Sequence, residues 1–235
     1  MVVSTDLPNN LPLTTVILAI SADGKIADIN HTAARFGSAT DRTHLETQVA
    51  QVDAVLFGAA TLRAYGTTLR VKRPDLLQQR QQQGKPPQPI QMVCSRSADF
   101  DPALPFFRQP VPRWLLTSTQ GQKCWQHQAG FDRILVAATI ADQFDWLTIF
   151  QQLTTIGIHR LAVLGGGTLV ASLLTANLID ELWLTICPLL LGGATAPTPV
   201  AGAGWSEKTA PRLTLLEVRS QADEVFLHYR VLREC

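Results

Sequence analysis

Short apolar runs alternating with helix-length segments constrain this chain more than any other feature of its sequence. Thr15–Ile20 and Asp53–Phe57 read as buried strands, closed by the turn Ala22-Asp-Gly-Lys25 and by Gly58. Further strands are expected at Ile90–Cys94, Arg113–Thr117, Arg133–Val136 and Arg160–Leu164. Helices are expected over Asp41–Val52, capped by Ser38 or Thr40, over Asp145–Thr155, and around Leu169–Ala176. Glu181–Cys187, Arg212–Arg219 and Glu224–Leu232 are longer strands. The last two flank Ser220-Gln-Ala-Asp223 as an antiparallel hairpin. Strands in alternation with helices specify a three-layer α/β fold with a mixed, mostly parallel central sheet closed by that hairpin. With no internal repeat and no linker, 13–235 is expected to form one domain behind a flexible polar arm, 1–12. The Gln- and Pro-rich stretch Arg73–Pro89 reads as a solvated helix and loop.

Charge restricts the partners. Charged residues make up 17% of the chain, against roughly 25% in an average soluble domain. The shortfall implies extensive burial, through a sheet covered on both faces or through subunit association. The net charge is +1 and the pI about 7.7, so no global field recruits nucleic acid or an anionic membrane. Any phosphate site must be local. Cys94, Cys124, Cys187 and Cys235 form no CxxC pair, which argues against a disulfide framework or structural zinc and for a reducing compartment. Leu11–Ile20 is too short to span a bilayer and follows no basic segment, so a soluble, cytoplasmic protein is expected.

Val163-Leu-Gly-Gly-Gly-Thr-Leu169 is the most informative segment. A buried strand enters it, a helix leaves it, and three glycines allow close backbone approach. Its N–H groups would favour a phosphate, or the segment is simply a tight turn. Phe57-Gly-Ala-Ala-Thr-Leu-Arg63 repeats the pattern, with Thr61 able to bond a phosphate or cap a helix. Arg70, Lys72 and Arg73 form a local basic cluster, suited to a phosphorylated ligand or equally to a solvated loop. His44-Leu-Glu46 matches the HxE of zinc nucleobase deaminases, but no Pro-Cys-x-x-Cys follows, so both side chains are expected on an exposed helix face. His31, His127, His159 and His228 share no ligand spacing, no GxSxG elbow is present, and no metal is expected.

In order and spacing these pieces resemble the reductase domain of riboflavin biosynthesis, the C-terminal half of bifunctional deaminase–reductases. The anchors are Ala19-Ile-Ser-Ala-Asp-Gly-Lys25, Gly37-Ser-Ala-Thr-Asp41, Asp53-Ala-Val-Leu-Phe-Gly-Ala-Ala-Thr61, Gly165-Gly-Gly-Thr-Leu169, Leu178-Ile-Asp-Glu-Leu182 and Pro188-Leu-Leu-Leu-Gly-Gly193. The resemblance implies a dihydrofolate-reductase-like fold, a homodimer, and NADPH reducing the ribosyl group of 5-amino-6-(5-phosphoribosylamino)uracil to ribityl. By position it implies cofactor contacts at Ala19, Thr61, Tyr65 and Ser95, with Gly165, Gly166, Gly167, Thr168 and Leu169 around the pyrophosphate. Arg96, beside Ser95, is a further candidate for the 2′-phosphate. Substrate contacts are implied near Ser38, Asp41, Leu69, Arg70 and Lys72.

Three positions depart from the pattern. Leu164 stands where many relatives carry Glu, Ile17 where many bacterial ones carry Lys, and Val49 where bacterial ones carry Arg. Such losses would spare the cofactor and could change the substrate. The resemblance covers the reductase half, so deamination would fall to another protein. The cofactor would carry the reactive chemistry, with Asp41 or Lys25 relaying a proton unless water serves. Two alternatives stay open: an NADPH reductase of another heterocyclic or carbonyl substrate, and a non-catalytic ligand-binding dimer.

Overall fold

The computed structural model describes residues 11–140 and 143–232. Its strands are β1 (Leu13–Ser21), β2 (Ala54–Gly58), β3 (Ile90–Cys94), β4 (Arg113–Thr117), β5 (Arg133–Val136), β6 (Thr139–Ile140), β7 (Gln143–Phe144), β8 (Arg160–Val163), β9 (Glu181–Cys187), β10 (Arg212–Gln221) and β11 (Glu224–Leu232). Its helices are α1 (Ala39–Gln51), α2 (Ala59–Tyr65), α3 (Pro74–Gln82), α4 (Thr119–Trp125), α5 (Trp146–Thr155) and α6 (Gly167–Thr175). The main sheet has nine strands in the order β10-β11-β9-β1-β8-β2-β3-β4-β5, and β6 pairs β7 apart from it. From β9 through β5 every pairing is parallel; β11 joins β9, and β10 joins β11, antiparallel. The mixed, mostly parallel sheet with its closing hairpin is therefore present as the sequence predicts.

Side-chain alternation distributes each strand between two cores. Val16 and Leu18 of β1 join Leu56, Leu161 and Val163 beneath Phe150 and Leu153 of α5 and Leu173 of α6. Ile17 points the other way, with Val55, Phe57 and Val93, against Val49 of α1 and Leu62 of α2. Each such fully buried side chain contributes about 1.5–3 kcal/mol, so both faces of the sheet need cover. Within the segment expected to be an arm, Pro12 is buried and Leu11 packs on the first core; residues 1–10 lie outside the described residues, as does Cys235.

Ser38 is the α1 cap: its hydroxyl accepts from the Thr40 and Asp41 N–H groups. Two expectations for this layer are corrected. His44 does not lie on an exposed face; it is 6% exposed, edge-on to the rings of Trp183 and Phe226, with its Nδ1 2.8 Å from Arg219. Burial, then the Arg219 and His228 charges, push its pKa down to about 4. Glu46 is half-buried and accepts the backbone N–H of Lys72 and Arg73. The hairpin and the Leu69–Arg73 loop fold over α1 from distant sequence, and no local pattern announces that. Likewise the polar stretch Arg73–Pro89 contributes a helix, α3, whose Arg80 is buried.

Candidate active site

Strand order creates the crevice. The chain leaves β2 toward β3 on one side, whereas β8 leads through α6 to β9 on the far side of β1. Loops leaving the carboxyl ends of β2 and β8 thus diverge, the position where open α/β sheets take ligands. The two ends stay in contact, since the Gly58 N–H donates to the Gly165 carbonyl at 2.9 Å. Both following helices begin on glycine: Gly58 caps α2 and Gly166 caps α6, neither with a side-chain hydrogen bond.

This arrangement fits a dinucleotide. No side-chain hydrogen bond caps α6, and a helix N-terminus left in that state favours an anion through its open N–H groups and its dipole. Gly165 has φ +96, a conformation that side chains rarely adopt. A Cβ on Gly167 would stand 2.2 Å from the Thr198 carbonyl, so only glycine lets the loop at 196–201 close against α6. Thr61 faces the same cradle, with its Oγ1 3.7 Å from where a Gly166 Cβ would lie. Ser95 follows β3, beside Gly58 in the neighbouring strand; its hydroxyl accepts from the Ala98 N–H at 3.0 Å, and Arg96 is next in the chain. Thr61, Ser95 and Gly165–Gly167 therefore gather where β2, β3 and β8 end, and N–H groups and hydroxyls of this kind could hold the diphosphate of a nicotinamide dinucleotide.

A second group gathers where β1 and β9 end. Ala19 pairs with Thr185, and Ser21 with Cys187. Asp41, from the first turn of α1, bonds the Thr185 side chain. Burial and then the nearby Glu224 charge push its carboxyl above the usual range, outweighing the Thr185 bond and Arg42. Tyr65 donates to the Ala34 carbonyl at 2.8 Å, and burial, then the Asp41 charge, raise its phenol. Lys25 stands apart, with its Nζ 3.5 Å from the Ala196 carbonyl. Glu224, Thr185 and Cys187 have no counterpart among the sequence-derived candidates. Glu224 bonds Ser38 across 186 positions, a separation that no motif spans.

The basic cluster divides. Arg73 pairs with Asp75, whereas the Arg70 and Lys72 side chains make no hydrogen bond or ion pair among the described residues. Leu69 packs on the second core. The three departing positions meet in that core too: Ile17 and Val49 are buried in it and Leu164 packs against it. Among the described residues, no group of three His, Cys, Asp or Glu could hold a metal ion.

Comparison with known proteins accords with this geometry. The chain is 27% identical over 198 residues to the 2,5-diamino-6-ribosylamino-4(3H)-pyrimidinone 5′-phosphate reductase of Archaeoglobus fulgidus, covering 84% of this chain and 90% of that protein. It is 27% identical over 220 residues to the riboflavin biosynthesis protein RibD of Escherichia coli, of which it spans 59%. Its fold matches a pyrimidine reductase-like protein of Corynebacterium diphtheriae (TM-score 0.80, 22% identity, 95% and 93% of the two chains). It also matches the riboflavin biosynthesis reductase Rib7 of Saccharomyces cerevisiae (TM-score 0.67, 18% identity, 94% and 90%). The family model of the RibD C-terminal domain covers residues 12–227, and the chain belongs to that family.

Proposed function

We propose that this protein is an NADPH-dependent reductase of riboflavin biosynthesis that converts the ribosyl group of a phosphorylated ribosylaminopyrimidine to ribityl. The substrate is 5-amino-6-(5-phosphoribosylamino)uracil or the 2,5-diamino pyrimidinone for which the archaeal relatives are named. The observation that carries this reading is the side-chain-free cradle of Gly58 and Gly165–Gly167, opening beside the carboxyl ends of β1 and β9 where Asp41 waits. Bound NADPH supplies the hydride. The chain's own tasks are to hold two planar rings face to face, neutralise the substrate phosphate and deliver a proton. Among the described residues the Arg70 and Lys72 side chains make no ion pair and are suited to that phosphate, and the reading assigns Leu69, next to Arg70 in the chain, and Ser38, beside Asp41 at the start of α1, as further substrate contacts. Oxidation of NADPH followed spectroscopically with each pyrimidine tests the reading; binding of NADPH without turnover of either rejects it. That outcome favours a different heterocyclic or carbonyl substrate.

The same reading holds the molecule to be one domain, 13–235, acting in the cytoplasm as a homodimer, with no nucleic-acid or membrane partner. Among the described residues no helix is long and apolar enough to cross a membrane. The homodimer is supported by β10, an edge strand on which every residue is exposed. A register shift between Leu215 and Glu217 resets its alternation. Leu213, Leu215 and Val218 consequently stand opposite Val231, Tyr229 and Leu227 on one sheet face, at 43%, 52% and 58% exposure. Such a face calls for cover. Leu215→Asp should convert a dimer to a monomer in sedimentation velocity; a monomeric unsubstituted protein would remove the homodimer.

A further inference from the structure

A buried carboxyl group meets the Ser38 turn from the start of β11. Glu224 is 3% exposed, and no lysine or arginine pairs with it among the described residues. Its Oε1 accepts the Ser38 N–H at 2.8 Å and its Oε2 accepts the Ser38 hydroxyl at 2.6 Å. The Cys187 Sγ lies 3.7 Å from Oε1. Because the hydroxyl proton of Ser38 goes to Glu224, the lone pairs of its oxygen turn to the N–H groups of Thr40, at 3.0 Å, and Asp41, at 3.3 Å. Asp41 then folds back over Gly37: a Cβ there would stand 2.2 Å from its Oδ2. One buried side chain thus fixes the turn that carries Asp41, and does so from the opposite end of the sequence.

We propose that Glu224 is a positioning residue for the reduction proposed above: it clamps Ser38 and so fixes the turn that presents Asp41 to the substrate as proton donor. This rests on the reductase reading. In the step, Asp41 would pass its proton to O4′ as the C1′–O4′ bond of the ribosylamine breaks and C1′ gains the hydride that bound NADPH would supply. Water returns a proton to the resulting carboxylate. The groups facing Asp41 agree with that direction. Glu224 from β11 raises its carboxyl, Cys187 from β9 is itself pushed up to about 12 and stays a neutral thiol, and Tyr65 from α2 stays a phenol. Thr185 from β9 and Arg42, next to Asp41 on α1, oppose Glu224.

The experiment titrates the protein labelled with ¹³C at the aspartate carboxyl carbons, with Asp41→Asn assigning the resonance. The Asp41 midpoint should lie above the ordinary value of about 3.9. In Glu224→Gln it should fall by at least roughly half a unit, a modest part of the span that neighbouring charges command. The alkaline limb of kcat should move down with it, while KM for NADPH stays within about twofold, since Glu224 touches no cofactor residue. Asp41→Asn should lower kcat by about 10²-fold or more, as for loss of a general acid. Should Glu224→Gln not fold, Glu224→Asp keeps the charge but draws it back from Ser38, and a smaller fall of the midpoint is expected. An Asp41 midpoint indifferent to both substitutions overturns the role given to Glu224. The titration needs no substrate, so coupling without turnover overturns the reduction instead.

Discussion

Gly166→Asp should weaken NADPH binding at least tenfold, about 1.4 kcal/mol, in a protein that melts no lower than the unsubstituted one. The two effects have one cause. Gly166 is the N-cap of α6, with φ -83 and ψ -178, a backbone any residue adopts. A Cβ there would meet only the Thr61 hydroxyl, at 3.7 Å, an ordinary contact. Aspartate is a preferred cap, better than glycine by a few tenths of a kcal/mol. Its carboxylate would therefore take the first-turn N–H groups, stabilise the helix and exclude the diphosphate by occupancy and charge. Fluorescence titration with NADPH and a melting curve read both. Unchanged affinity in the folded variant would remove the phosphate role of this loop. Gly167→Ala is the contrasting case. Its Cβ would meet backbone, the Thr198 carbonyl, so that variant should lose stability rather than binding alone.

Arg80→Ala should destabilise the fold by about 3 kcal/mol, lowering the melting temperature by roughly 6–12 °C for a chain of this size. Arg80 is 1% exposed. Its Nη1 donates to the Ala50 and Val52 carbonyls at 2.9 and 2.8 Å, and its Nε donates to the Pro86 carbonyl at 2.8 Å. It thus closes the C-terminal end of α1 and ties it to the loop after α3. Truncation leaves carbonyls unpaired in a dry site, where each costs about 1–3 kcal/mol. Urea unfolding with an unchanged m-value would measure the loss. Arg80→Lys should fall between, because an ammonium lacks the planar fork that reaches separated acceptors. A loss below about 1 kcal/mol in Arg80→Ala would mean that water replaces the guanidinium.

How far the sequence is legible depends on how local the cause is. Strand positions follow from runs such as Asp53–Phe57 and Ile90–Cys94, because burial on both faces leaves one composition for a central strand. The glycine cradle is legible too, since strand, glycines and helix are contiguous in Val163–Leu169. Arg80 is not: within Pro74–Gln82, a helix of mostly polar residues, one long cation looks like its neighbours. His44 misleads in the same way, for its burial comes from Trp183, Phe226 and Arg219 rather than from its own helix.

By itself, then, the sequence determined the alternation of β and α units, the mostly parallel sheet with its closing hairpin, and the bare-backbone loop at its edge. These are consequences of short-range sterics and of the period at which apolar side chains recur. Only the tertiary structure decided which groups surround that loop. It brought Glu224 onto Ser38 and Asp41, gathered Ile17, Val49 and Leu164 around one core, and aligned the exposed apolar residues of β10 through a register shift. Those juxtapositions arise from strand order and hydrogen-bond register, in which chain-distant residues meet because backbone pairing brings them together. Side-chain chemistry at a single position carries no record of the partner it will meet.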